Sequence, residues 1–201
     1  MITLEALTKR FPSIRAAFAY GSGAFQQAGR QKGRMIDLVL ITDTCSDWHI
    51  ENMEKNPRDY STHANIRIIP RVQNLPGGVY YNTGISIDNA LCKYGVITHT
   101  RAIEDLNTWR DFYLAARMQK PIHWIKVDDK LDFANETVNR PAALLHALQN
   151  FNAGKAQWLD VLLSIVALSY KTDIRTMLGF EDKRKVMRIV EGQYDELFGI
   201  Y

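Results

Sequence analysis

Apolar residues along the chain follow two kinds of pattern, and the change between them falls near residue 130. Before it, short apolar runs alternate with helical spacings. Ile2–Phe11 has the spacing of an amphipathic helix and is stopped by Pro12. Ala16–Tyr20 and Met35–Ile41 are runs of strand length, the second interrupted only by Asp37. Thr44–Asn56 predicts a helix capped by Ser46 or Asp47 and ended by Pro57, with His49 and Asn52 three apart on one face. Ile66–Pro70 reads as strand-like, and in Leu75–Ile87 a glycine pair opens an aromatic strand. Leu91–Thr98 reads as another strand, with Lys93 inside it. Ile103–Ala116 predicts one helix showing Asp105, Trp109 and Tyr113 on one side, and His123–Val127 a last strand.

From about Leu131 the pattern is helical throughout: Asn139–Asn150, Lys155–Leu168 and Glu181–Phe198, with turns at Gly154 and Gly179. The last of these carries Val186, Ile189, Val190, Gln193, Leu197 and Tyr201 along one side, with Lys183, Arg184, Lys185 and Arg188 near its start. Such a basic amphipathic helix suits either an anionic membrane surface or packing on the rest of the protein, and packing is the commoner use. The expected organisation is an α/β unit over residues 1–130 and a helical unit over 131–201, the second resting on the first.

The stretch richest in chemistry is Ala17–Asp43. A strand ends at Gly21-Ser22-Gly23, a helix-compatible piece and a basic turn follow, and the next strand carries Asp37. That is the layout of a nucleotidyltransferase site. Glycines let backbone N–H groups approach a phosphate, and a carboxylate on the neighbouring strand can hold a divalent cation against it. A dinucleotide-binding turn would need a small residue where Gln26 stands, and a Walker-type loop lacks its Gly-Lys-Ser/Thr. A tight turn beside a solvated aspartate stays open for Gly-Ser-Gly alone. A charge flanked by Ile36 and Leu38 is nonetheless costly to bury unless it is paired or bound to metal.

Bulk properties narrow the class. With 201 residues, 46% hydrophobic and 23% charged, the chain has the composition of an ordinary globular protein. A formal charge of +3 does not by itself argue for nucleic acid, though it suits an anionic substrate or surface. Cys45 and Cys92 fit no zinc spacing or disulfide framework and read as small buried residues in a reducing compartment. No apolar run reaches the ~18 residues of a membrane-spanning helix. The N-terminus lacks a signal-peptide core, so the protein is expected to act where it is made or after loss of a presequence.

Several blocks recur in order: Phe18-Ala-Tyr-Gly-Ser-Gly, Ile36-Asp-Leu-Val, Trp48-His-Ile-Glu-Asn, Gly78-Val-Tyr-Tyr-Asn, Lys93-Tyr-Gly-Val and Asp105-Leu-Asn-Thr-Trp. Ala116-Arg-Met-Gln-Lys-Pro, Leu168-Ser-Tyr-Lys-Thr-Asp-Ile-Arg and Glu181-Asp-Lys-Arg-Lys-Val complete the series. Together they resemble the mitochondrial translocator assembly and maintenance family of peripheral CDP-diacylglycerol synthases, which has bacterial relatives, and the chain is expected to be one of these. The family's His-Tyr-Ser is Asp59-Tyr60-Ser61 here, and its Ser-Tyr-x-Gly-Asp is Ser169-Tyr-Lys-Thr-Asp173.

The resemblance implies a DNA polymerase β-like nucleotidyltransferase domain followed by a helical, winged-helix-like domain. It implies phosphatidate cytidylyltransferase activity, in which CTP and phosphatidic acid give CDP-diacylglycerol and pyrophosphate with Mg²⁺. It also implies peripheral association with the inner face of a membrane, cytoplasmic in a bacterium or facing the matrix in a mitochondrion. On this reading Asp37, Lys93 and Asp173 are catalytic, with Asp37 and Asp173 as metal ligands. Gly21, Ser22, Gly23, His49, Asn52, Tyr80 and Asn82 are expected to bind the nucleotide, and Arg117, Lys120 and Arg175 the lipid phosphate. Tyr80 and Tyr81 point to opposite faces of a strand, so one of them meets the nucleotide. Two rivals stand beside this: a soluble nucleotidyltransferase acting on a sugar phosphate, antibiotic or RNA end, and a non-catalytic module that binds nucleic acid. No nucleic-acid partner is expected.

Overall fold

β-Branched and aromatic runs flanked by turn residues give five strands, and these make one mixed sheet. The strands are β1 (Ala16–Tyr20), β2 (Ile36–Thr42), β3 (Tyr80–Ile87), β4 (Ala90–Thr98) and β5 (Ile122–Lys126), in the order β3-β4-β2-β1-β5. β2 and β4 run parallel; the other neighbouring pairs are antiparallel. This computed structural model describes residues 2–25, 35–61, 67–151, 157–171 and 184–201, with only the backbone of Lys171.

Strand alternation gives the sheet two buried faces. Leu38, Leu40, Tyr94 and Val96 face one side, where α1 (Leu4–Arg10) and α2 (Cys45–Lys55) contribute Leu7 and Trp48. Phe18, Val39, Ile41 and Ile97 face the other, covered by α4 (His99–Thr108), α5 (Leu114–Met118) and α6 (Asp129–Ala134). α3 (Ile68–Gln73) lies before β3. A π-helical stretch, Asn135–Asn139, joins α6 to α7 (Arg140–Leu148). α7 packs on α8 (Trp158–Lys171), and α9 (Lys185–Gly192) and α10 (Tyr194–Ile200) pack on the far side of α8 around Leu162 and Val166. Leu131 and Ala134, just past the expected boundary, belong to the sheet's core.

Four sequence expectations are corrected. The strand-like run at Ile66–Pro70 is helical from Ile68, since Ile69 and Gln73, four apart, are the positions buried. Pro70 sits in the first turn, where its missing N–H is no loss. The helix expected over Ile103–Ala116 stops at Thr108: Trp109 and Phe112 take left-handed backbone, and a new helix starts at Leu114. The final helix breaks at Gln193 into α9 and α10. The helix at 45–55 has Thr44 as its N-cap, without a side-chain cap bond, and Ser46 and Asp47, expected as the cap, lie inside its first turn. Cys45 and Cys92 are buried free thiols, as expected.

Candidate active site

The chain leaves β1 at Tyr20 and reverses through Gly21–Gly23, with φ +72° at Gly21. A Cβ on Gly21 would lie 3.2 Å from Asp37 Oδ2, and one on Gly23 only 2.3 Å from the Met35 carbonyl. Glycine is therefore needed on two counts: the left-handed backbone at the first position, and the close approach to the start of β2 at the second. Asp37 is the second residue of β2, opposite Tyr20 on β1 and level with Lys93 on β4. It shares its face with Val39 and Ile41, but it lies at the strand's open end and is half-buried.

Cations and tyrosines surround it. Lys93 Nζ sits 4.2 Å from the centre of the Tyr81 ring. That ring lies across Gly95, its partner on β4, where a Cβ would come within 2.6 Å of it. The Tyr81 and Tyr20 hydroxyls are 3.0 Å apart. Arg117, on α5, stacks its guanidinium 3.5 Å over Tyr113, donates to the Tyr113 carbonyl at 2.7 Å and to the Tyr20 hydroxyl at 3.3 Å. Lys120 donates to the Ala116 carbonyl at 2.7 Å. Its Nζ lies 5.8 Å from the ring of Tyr170 on α8, and Lys185 of α9 lies 5.0 Å from the same ring.

The charges act on one another. Burial raises the pKa of Asp37 above the ordinary carboxylate value, and Lys93, Arg117 and Lys185 oppose that rise in decreasing order. Burial also pushes the Lys120 ammonium down to about 7, with Arg117 and Lys185 adding to the effect. Three cations act on Asp37, with Lys120 beside two of them, and together they make a basin suited to an anion carrying several charges.

Helix α5 is held in place from three directions. The buried Asp105 carboxylate accepts five backbone N–H bonds, from Asp111 through Ala115, at 2.7–3.0 Å. This is what breaks the expected long helix, because those amides turn toward the carboxylate instead of a carbonyl four residues back. Asn139 donates to the Ala115 carbonyl and accepts from Trp109 and Gln119. Tyr201 donates to the Gln119 carbonyl at 2.8 Å. Arg117 and Lys120 are thereby positioned by residues from both units.

His49, Asn52, Tyr80 and Asn82 lie across the sheet from Asp37. Tyr94 centres them: its hydroxyl donates to Asp59 at 2.9 Å and accepts from Asn52 at 2.9 Å and Asn82 at 2.8 Å. Tyr60 and His49 hydrogen-bond at 2.8 Å, and the Tyr80 ring packs edge-on to His49. Burial lowers the His49 pKa to about 4, so the ring is neutral, and raises Tyr60 to about 12. Of the two adjacent tyrosines, Tyr81 is the one on the Asp37 face, because its partner Gly95 falls on that side. Asp173 and Arg175 lie outside the described residues. Tyr20, Tyr113 and Lys185 were not singled out for the site from sequence. Tyr20 alone carried a signal, as the last residue before the glycine turn.

Fold and site together define an α/β protein with a cationic basin built over a glycine turn and a strand carboxylate. The family model described as "Phosphatidate cytidylyltransferase, mitochondrial" matches residues 4–201. The chain belongs to this family. Proteins of that name are similar to it in Caenorhabditis briggsae (37% identical over 199 residues, 94% of this chain and 60% of the relative). The human protein is 36% identical over 213 residues, 98% of this chain and 46% of its own length. The Saccharomyces cerevisiae protein is 35% identical over 194 residues, 93% and 50%. The chain thus spans about half to three-fifths of the curated relatives it matches. Among the described residues no helix is long and apolar enough to cross a membrane.

Proposed function

We propose that this chain transfers a cytidylyl group from CTP to phosphatidic acid, forming CDP-diacylglycerol and releasing pyrophosphate. The observation that carries the reading is the set of three cations, Lys93, Arg117 and Lys185, that act on Asp37 beside the glycine turn, in a chain matched to the family over residues 4–201. Residues 1–130 act as the nucleotidyltransferase domain, supported by the glycine turn and the carboxylate one strand over. For the helical part, winged-helix character rests on the family resemblance.

The acceptor is a phosphate monoester, already ionised near neutral pH, so its oxygen attacks the α-phosphate without a general base. Catalysis is then positioning and charge neutralisation. Backbone N–H groups of the Gly21–Gly23 turn and the Ser22 hydroxyl hold the triphosphate. Lys93 meets the charge that grows on the leaving pyrophosphate, and Arg117 and Lys120 hold the acceptor phosphate against its repulsion by the nucleotide.

Asp37 suits a divalent cation shared with substrate phosphates. Among the described residues no three His, Cys, Asp or Glu side chains converge, and Mg²⁺ is commonly held by one or two carboxylates plus phosphate and water. Asp37 would be its protein ligand here, with Asp173 as the candidate second and Arg175, two residues on in sequence, as a candidate for phosphate charge. The cation would neutralise phosphate charge. Membrane contact is peripheral. The apolar stripe of the last two helices turns inward, with Ile189, Val190, Gln193 and Leu197 all buried, while Met187, Tyr194 and Phe198 on the same helices stay exposed.

The test is pyrophosphate release from each of the four nucleoside triphosphates, with and without phosphatidic acid vesicles, followed by recovery of label from α-labelled CTP in lipid. Release with CTP plus phosphatidic acid, and labelled lipid, is expected. Release with a soluble sugar phosphate in place of lipid would move the assignment to the soluble nucleotidyltransferase class.

A further inference from the structure

We propose that Tyr81 is a positioning residue for the transfer: its ring keeps the Lys93 ammonium off the Asp37 carboxylate and ready for a phosphate, and its hydroxyl steadies Arg117 through Tyr20. This deepens the function proposed above and rests on it. The geometry begins with strand register. Lys93 on β4 is level with Asp37 on β2, and Tyr81 on β3 pairs with Gly95, two residues past Lys93 and on the same face. An aromatic ring spans that diagonal. Gly95 leaves the room for it, since a Cβ there would come within 2.6 Å of the ring. The Lys93 ammonium sits 4.2 Å from the ring centre.

A lysine level with an aspartate on the next strand is placed to close an ion pair across the two. Here it does not. Lys93 acts on Asp37 through its field, and among the described residues no ion pair joins them. A closed pair would neutralise the carboxylate and take the ammonium away from the substrate. A ring face holds an ammonium more loosely than a carboxylate does, so an incoming phosphate can draw the lysine from it. The other end of Tyr81 reaches the second cation. Its hydroxyl lies 3.0 Å from that of Tyr20, which accepts from Arg117 Nε at 3.3 Å, and Tyr20 is the partner of Asp37 on β1. A pair of tyrosines on a sheet is most often core packing. What exceeds packing here is that one side chain engages both cations, the ammonium at its face and the guanidinium through one further hydroxyl.

The test follows label transfer from CTP to dioctanoyl phosphatidate, at a temperature where melting curves show every variant folded. Tyr81→Phe keeps the ring and loses the hydroxyl, so the KM for phosphatidate should rise about threefold through Arg117. From that variant, mono-, di- and trifluorophenylalanine at position 81 drain the negative charge from the ring face while nearly keeping its shape. The kcat should fall stepwise along the series, about tenfold by the last member, with little change in the KM for CTP. A ring that only filled space would give a flat series. The second arm is a double-mutant cycle of Tyr81→Leu with Lys93→Met. Tyr81→Leu should cost about tenfold in kcat when Lys93 is present and less than about twofold when it is not, because the ring acts through the ammonium. In wild type the Lys93 ε-methylene protons should resonate upfield, shifted by the ring, and Tyr81→Leu should remove that shift. A flat fluorinated series, or equal losses in both halves of the cycle, overturns the inference while leaving the reaction in place. A wild type that makes no CDP-diacylglycerol sinks the proposed reaction, and this role with it.

Discussion

The two faces of one sheet treat polar groups in opposite ways. On the α2 side, Tyr94 joins Asp59, Asn52 and Asn82 through three hydrogen bonds of 2.8–2.9 Å, and donors meet acceptors within the chain. On the α5 side, Lys93, Arg117 and Lys185 act on Asp37, and Lys120 lies beside two of them, so that among the described residues several cations meet one carboxylate. The first arrangement specifies a fold, because each of these four side chains has its partner and loses it on unfolding. The second suits an anionic ligand, because several cations held together attract negative charge. Polarity alone does not separate structure from function; the balance of charge does.

The largest effect that would test this contrast is on stability. Asp105→Ala would leave five backbone N–H groups without their acceptor, and urea unfolding should show a loss of about 4 kcal/mol. Because α5 carries Arg117, turnover should fall with it; a fully active, equally stable variant would contradict the positioning role. Tyr94→Phe comes next. It strips one hydroxyl from the opposite network and should destabilise by about 2 kcal/mol while leaving the KM for CTP unchanged. A raised KM for CTP in the folded variant would break the contrast and return the nucleotide to the His49 face.

The smallest effect concerns pH. Lys120 titrates near 7, so its charge is present below that pH and lost as pH rises through it. The KM for phosphatidate should therefore rise several-fold between pH 6.5 and 8.5 in wild type relative to Lys120→Arg, whose guanidinium stays charged throughout. Using one lipid in both series cancels the ligand's own ionisation. Parallel profiles would remove Lys120 from the acceptor subsite.

Much of this was legible in the chain. All five strands were marked by apolar runs, and Asp37 and Lys93 stood out as charges inside two of them, which the parallel β2–β4 register then places side by side. What was not legible depends on long-range partners. The break at Trp109 follows from five amides converging on Asp105, a contact that periodicity does not reveal. Lys185 sits in a run of basic residues at the start of an amphipathic helix, and only the packing of Ile189 turns it inward. The hydrogen bonds that join Asn52 and Asn82 to Tyr94 likewise need the register of β3 and β4. Choosing between Tyr80 and Tyr81 needed that same register.

The most direct measurement is label transfer from α-labelled CTP into phosphatidate by Asp37→Asn, read beside its melting curve. Burial disfavours the Asp37 charge, so neutralising it should leave the melting temperature equal to or above wild type. Turnover should nevertheless fall about a thousandfold, the scale of losing a group that stabilises transferring charge. A folded Asp37→Asn protein that labels lipid at near wild-type rate would contradict the account.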